Sequence, residues 1–171
     1  MKVAMGFLGA AALAFAGTAQ AAGPTDPEIA HIAYTAGNID IAAAKQALAK
    51  SHNATVRAFA SEMVRDHQAV NDKALALLKE LKVTPQDNAT SDSLSKQADA
   101  TLKRFAKLNE HDFDHAYLNN EVAYHGTVNS ALKTTLIPSA TNAQLKSLLE
   151  TGLALFTEHQ KHAEHLAATL K

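Results

Sequence analysis

The chain has 171 residues, 47% of them apolar, with no cysteine, no tryptophan, and Lys+Arg 16 against Asp+Glu 17. That excludes a disulfide scaffold, a thiolate metal site, a cysteine nucleophile and a strongly basic nucleic-acid binder. An aromatic content of 5% with abundant alanine and leucine favours helix over sheet, and nine histidines in a chain of one domain's length call for an explanation.

Taken in chain order, the first segment reads as a cleaved secretory signal. Lys2 supplies a minimal positive start, and Val3 to Ala16 is an unbroken run of apolar and small residues. Ala19-Gln20-Ala21 then forms the small-x-small pattern that signal peptidase reads. The apolar run is shorter than the roughly 20 residues of a permanent span. Cleavage after Ala21 predicts a mature domain over residues 22–171, periplasmic or secreted for a bacterial source, with no stable membrane anchor. Loss of Lys2 takes Lys+Arg from 16 to 15 against 17 acids, a formal charge of −2. No nucleic-acid partner is expected on that charge. The sequence identifies no protein partner and leaves a homo-oligomer open.

Thr25-Asp26-Pro27-Glu28 combines a cap, a first-turn proline and an acid, and predicts a helix from Pro27 to Lys50. Ser51-His52-Asn53 reads as a tight turn before a second helix to Leu81. Lys82 to Asp92, with a proline and many small polar residues, reads as a loop. A shorter helix follows from Ser93 to Lys107. A third long helix runs from Asp112 to Leu136, closed by Ile137-Pro138-Ser139, and a fourth from Thr141 to Leu170. Sustained period-2 alternation, a Gly-rich phosphate loop and a Gly-x-Ser-x-Gly motif are all missing. Short turns within each pair of long helices predict two antiparallel hairpins. They would form an all-α four-helix bundle with the short extra helix in its connection.

Apolar faces at helical spacing include Phe59, Ala60, Met63 and Val70 in the second helix, and Leu149, Gly152, Phe156 and Ala163 in the fourth. The first uses Ile29 and then alanines at 33, 36, 43 and 47, so its neighbours can approach closely. Ionisable groups fall inside these stripes. His67 lies between Met63 and Val70, Asp40 lies on the alanine line, and His159 lies within about 40° of the fourth helix's stripe. In the third helix Asp114, Glu121 and His125 fall within about 40° of one another, with Tyr117 flanking them. Counted from the turn near residue 52, Asp40 and His67 sit about 18 and 22 Å along their helices. Counted from the turn near residue 139, His125, Glu121 and His159 sit about 21, 27 and 30 Å along theirs. Those heights are compatible with one layer.

Buried charges without partners cost several kcal/mol. Such a layer must therefore pair internally, enclose water or bind a cation. Imidazole with carboxylate suits a single transition-metal ion (Fe, Mn or Zn). The predicted metal ligands are His67, His125, His159, Asp40 and Glu121, with Asp114 and Tyr117 orienting an imidazole. The competing reading is a non-metal structural or stress-related interaction module, whose buried His–carboxylate network sets helix register. No catalytic residue is predicted, since no nucleophile motif accompanies the cluster. Elsewhere, His159 with His162 could share a cation and His111 with His115 a surface Zn or Cu ion. Glu158 with His162 reads as a solvated i, i+4 pair, and His31 and His52 read as exposed.

The run Phe59-Ala60-x-x-Met63-Val64-x-Asp66-His67, then Phe113-Asp114-x-x-Tyr117 with His125 eight residues on, then Leu155-x-x-x-His159, resembles the domain-of-unknown-function 4142 (DUF4142) family. The resemblance spans Asp26 to Leu170 and implies a ferritin-like helical bundle, mostly secreted and bacterial, without an assigned activity. Such proteins often carry glutamate where this chain has Asp40. The Glu-x-x-His motif of ferritin-like di-iron sites is absent, because Val64, Val122 and Phe156 stand three before the histidines. A mononuclear site therefore fits better than a carboxylate-bridged di-iron centre.

Overall fold

The computed structural model describes residues 23–170, and the predicted signal at residues 1–21 lies outside them. The described residues form helices and no strand: α1 (Asp26–Lys50), α2 (Ala54–Leu81), α3 (Ala89–Ala106), α4 (Glu110–Ala131), the short α5 (Ile137–Ser139) and α6 (Ala143–Thr169). None of these helices is long and apolar enough to cross a membrane.

Local chemistry accounts for the boundaries. Thr25 and Glu28 form a capping box at the start of α1. The Asn53 side chain accepts from the amides of Thr55 and Val56, starting α2 after the three-residue turn. Asn88 caps α3 in the same way through Thr90 and Ser91. The predicted loop is therefore shorter than expected, since α3 begins at Ala89 and not at Ser93. Asn109 accepts from the Asp112 amide and starts α4 at Glu110.

Pro138 does not close the third long helix at Leu136. A π-helical turn over Leu132–Leu136 precedes it, with the Ile137 amide bonded to the Leu132 carbonyl, and helix continues through Ser139. Proline has no N–H and its ring crowds the carbonyl four residues back. The wider turn relieves both without ending the helix.

α1 packs along α2, and α4 along α6, each pair an antiparallel hairpin; α2 also meets α6, and α3 lies against α1. Gln46 and Lys50 of α1 donate to the Leu102 and Ala106 carbonyls of α3. Covered on several sides, α1 buries more than one stripe, adding Ala30, Ile32, Ile41 and Ala44 to the predicted line. One apolar cluster centres on Phe59, Met63, Phe105, Phe113, Tyr117 and Leu118, and another on Ile29, Leu132, Leu136, Leu145 and Leu149. The ionisable side chains lie between them.

α1 and α2 approach closely at Gly37, where an added Cβ would lie 2.4 Å from Asn71 Oδ1. Asn71 is buried and donates to Asn38 Oδ1. Gly37→Ala should thus destabilise the protein by about 1–2 kcal/mol, although alanine gains about 1 kcal/mol in helix propensity. Urea denaturation tests the sign, and a stabilised variant would contradict the close approach.

Candidate metal centre

His67 of α2, His125 of α4, His159 of α6, Asp40 of α1 and Glu121 of α4 are each no more than 3% exposed. One ligand atom each of the three histidines lie within 4.8 Å of one another, as do those of Asp40, Glu121 and His125. The five side chains thus occupy one layer, contributed by every long helix. His67 Nε2 is 3.4 Å from His125 Nε2 and 3.4 Å from Asp40 Oδ2, and His125 Nε2 is 3.6 Å from that same oxygen. The point equidistant from the corners of a triangle with these sides, 3.4, 3.4 and 3.6 Å, is about 2.0 Å from each. An ion at that point, or ~0.7 Å out of the plane toward a fourth ligand as in a tetrahedral site, would stand about 2.0–2.1 Å from each, within the bond lengths of about 2.0–2.2 Å from zinc to imidazole or carboxylate.

The surroundings fix the rings. His125 Nδ1 is 3.0 Å from the Glu121 backbone carbonyl. A proton there donates to the carbonyl and leaves Nε2 as the lone pair facing the triangle. His159 Nε2 is 3.0 Å from Asp66 Oδ2, which places its proton on Nε2, while Nδ1 is buried without a partner. Asp66 in turn accepts two bonds from Arg65, at 2.6 and 2.9 Å. Those bonds, above all, hold its carboxyl below the ordinary carboxylate range. Phe156 stacks on His67 with centroids 4.5 Å apart and planes 9° apart.

Burial dominates the electrostatics of all five groups. Burial first, and then the neighbouring imidazoles, push His67 down to about 2; burial likewise pushes His125 down to about 4 and lowers His159. All three rings are therefore neutral near pH 7, with lone pairs ready to bind a metal. Burial pushes Asp40 up to about 7 and Glu121 well above the carboxylate range, the Asp40 charge adding to the latter. Neither carboxyl has a well-aligned hydrogen-bond partner among the described residues, His67 Nε2 standing 3.4 Å from Asp40 Oδ2 and His125 Nδ1 3.5 Å from Glu121 Oε2. Two such buried carboxyls side by side resist double ionisation, so the pair together retains a proton.

Neither of the two residues expected to orient an imidazole hydrogen-bonds a core histidine among the described residues. Tyr117 is fully buried among Phe59 and Phe113, and its hydroxyl has no hydrogen-bond partner. Asp114 lines a surface pocket with His52, Glu110, His111 and His115 and bonds none of the three core histidines. Asp66 and the Glu121 carbonyl do the orienting instead. Asp66 sits beside His67 in the sequence, so helical geometry turns it about 100° off the stripe toward α6. That offset was the available signal for it. Glu62, on the same side, groups with Asp66 and His159 and pairs with His162 at 3.0 Å. His162 is thus committed to Glu62, and Glu158 pairs with Lys161 instead of the expected His162. His31 is half-buried and pairs with Asp87, contrary to the exposed position expected. His111 and His115 lie side by side on the surface, ring centroids 4.8 Å apart and planes tilted by 56°.

Stability should respond to pH with opposite signs from the two kinds of group. The imidazoles bind protons less readily when folded than at their ordinary 6.5, so acidification below 6.5 favours unfolding. The raised acids lose stabilisation as pH rises, Asp40 up to about 7 and Glu121 beyond it. Above pH 7 the Glu121 slope remains, up to about 1.4 kcal/mol per pH unit. In metal-free protein, Glu121→Gln should remove the stability loss between pH 7 and 9, as read by urea denaturation in chelator. An unchanged slope would refute the shared-proton assignment.

The sequence matches the family described as a domain of unknown function (DUF4142) over residues 10–166, and the chain belongs to that family. No curated protein and no solved structure gave a match.

Proposed function

For this member of a family without an assigned activity, we propose a metal-binding role: a single transition-metal ion, Fe, Mn or Zn, held in the mid-chain layer without catalysis. His67, His125, His159 and Asp40 are the ligands. Glu121, which clusters with Asp40 and His125, completes the set. Asp66 orients His159 from outside it, while Asp114 and Tyr117 have at most an indirect part. The helices take the arrangement of a ferritin-like four-helix bundle, an assignment supported by the two hairpins and their contacts. The N-terminal apolar run with its Ala19-Gln20-Ala21 end supports export to the periplasm or beyond.

The observation that carries this reading is the near-equilateral triangle of His67 Nε2, His125 Nε2 and Asp40 Oδ2, sized for an ion at its centre. A purely structural network would be expected to close these gaps into hydrogen bonds. Instead these contacts stay long, the two imidazole nitrogens 3.4 Å apart and Asp40 Oδ2 3.4 and 3.6 Å from them with no aligned donor among the described residues. Neutral imidazoles and a carboxyl pair that surrenders its proton are the donor chemistry of a divalent ion.

Equilibrium dialysis of untagged protein against Fe(II), Mn(II) or Zn(II) should give about one ion per chain for at least one metal. His67→Ala and His125→Ala should each weaken uptake at least about 100-fold, and Asp66→Asn about 10- to 100-fold. Metal at 100 times the wild-type Kd should raise wild-type stability by about 2.7 kcal/mol and that of His67→Ala by no more than about 0.4 kcal/mol. A stoichiometry near zero for all three metals with the helical fold intact would eliminate the proposal. Equal destabilisation of His67→Ala with and without metal would favour the structural network.

A further inference from the structure

Beside the imidazole layer lies a second feature that the metal does not explain. A cavity of about 530 Å³ runs between α1, α2, α4 and α6. Packed cores tolerate few voids larger than a water molecule. A cavity of this size, apolar with a few convergent polar groups, has the dimensions of a small-molecule site.

Its walls are apolar along most of their length: Ala33, Val70, Ala74, Val128, Leu149 and Gly152. Polar groups converge near one end, where His67, Asn71, Tyr124 and His125 meet. Most of these are already engaged. The Tyr124 hydroxyl donates to the Ala36 carbonyl, and Asn71 donates to Asn38. His67 keeps a buried Nδ1 with no partner. Leu136 and Leu145 line the far end, and the exposed Thr90, Thr127 and Thr135 also border the cavity.

The shape selects among apolar ligands. From His125 on α4 through the π-turn to Leu136, and from Phe156 to Leu145 on α6, the chain advances about 16 Å. A staggered chain of ~1.5 Å bonds gains about 1.3 Å per carbon, so about twelve carbons fill that length. A compact aromatic ligand would leave half of the cavity unfilled. A nucleotide or sugar would bury more polar groups than the walls can satisfy.

We propose that this cavity binds one medium-chain aliphatic amphiphile, its chain lying along α4 and α6 and its compact polar end beside His67. The inference does not rest on the metal, and its test uses metal-free protein.

Calorimetric titration of the full chain with n-alkanols of increasing length should show affinity rising about fourfold per methylene, then levelling near twelve carbons. The matching n-alkanoic acids distinguish a neutral from an anionic polar end, and the same length dependence is expected from whichever head binds tighter. Val128→Phe and Ala74→Leu, two separate fillings of the cavity, should each weaken dodecanol at least tenfold. Ion uptake by dialysis should remain unchanged in any variant that keeps wild-type circular dichroism. Affinity independent of chain length, or dodecanol binding untouched in both folded variants, overturns the proposal. Loss of ion uptake in the His67 and His125 variants bears on the metal reading alone.

Discussion

Three imidazoles and two carboxyls share a volume from which water is excluded, with too few donors to satisfy their acceptors. Two carboxylates cannot both stay ionised there, so Asp40 and Glu121 hold a proton between them. The histidines stay neutral for the same reason, since burial penalises the imidazolium. Counted this way, the carboxyl pair carries one negative charge, while Asp66 is balanced by Arg65. A divalent cation that displaces the shared proton leaves the layer electrically neutral. A trivalent one would strand a positive charge in the dry interior.

The rest of the structure holds this layer in place. Each long helix contributes at least one member, so no hairpin alone can assemble it. The chain Arg65–Asp66–His159 ties a surface guanidinium to a buried ring, and the Glu121 carbonyl sets the tautomer of a ring one turn along its own helix. Phe156 belongs to two environments, packing with the Leu145–Leu149 cluster and lying flat on His67. It stands where the polar layer meets the apolar cavity, which His67 and His125 also line.

Much of this was readable from residue order, and the gaps have physical causes. Asp40, His67, His125 and His159 announce themselves because each interrupts an apolar line of period 3.6, and Glu121 because it shares a face with His125. Asp114 shares that face too, but seven residues separate it from Glu121, about 10 Å of helix, and a wheel projection discards height. Asp66 escaped because it flanks the stripe, and its role depends on which helix lies on that side. The start of α3 depends on a single capping asparagine within a stretch of loop-like composition. Pro138 looked like a terminator because its local rule holds for an ordinary α-helix. The π-turn before it lies beyond residue-by-residue propensity.

The small residues of α1 have a consequence for the chemistry of Asp40. Gly37, Ala36, Ala43 and Ala44 are buried and let the α1 backbone approach α2 and α4, as the Tyr124 bond to the Ala36 carbonyl reflects. A carboxylate one methylene shorter than glutamate thereby still arrives between His67 and His125. Backbone separation and side-chain reach are interchangeable here, and only their sum is constrained. A bulkier α1 would demand the longer acid and this thin one would be overfilled by it, so within the family the two traits should be inherited together.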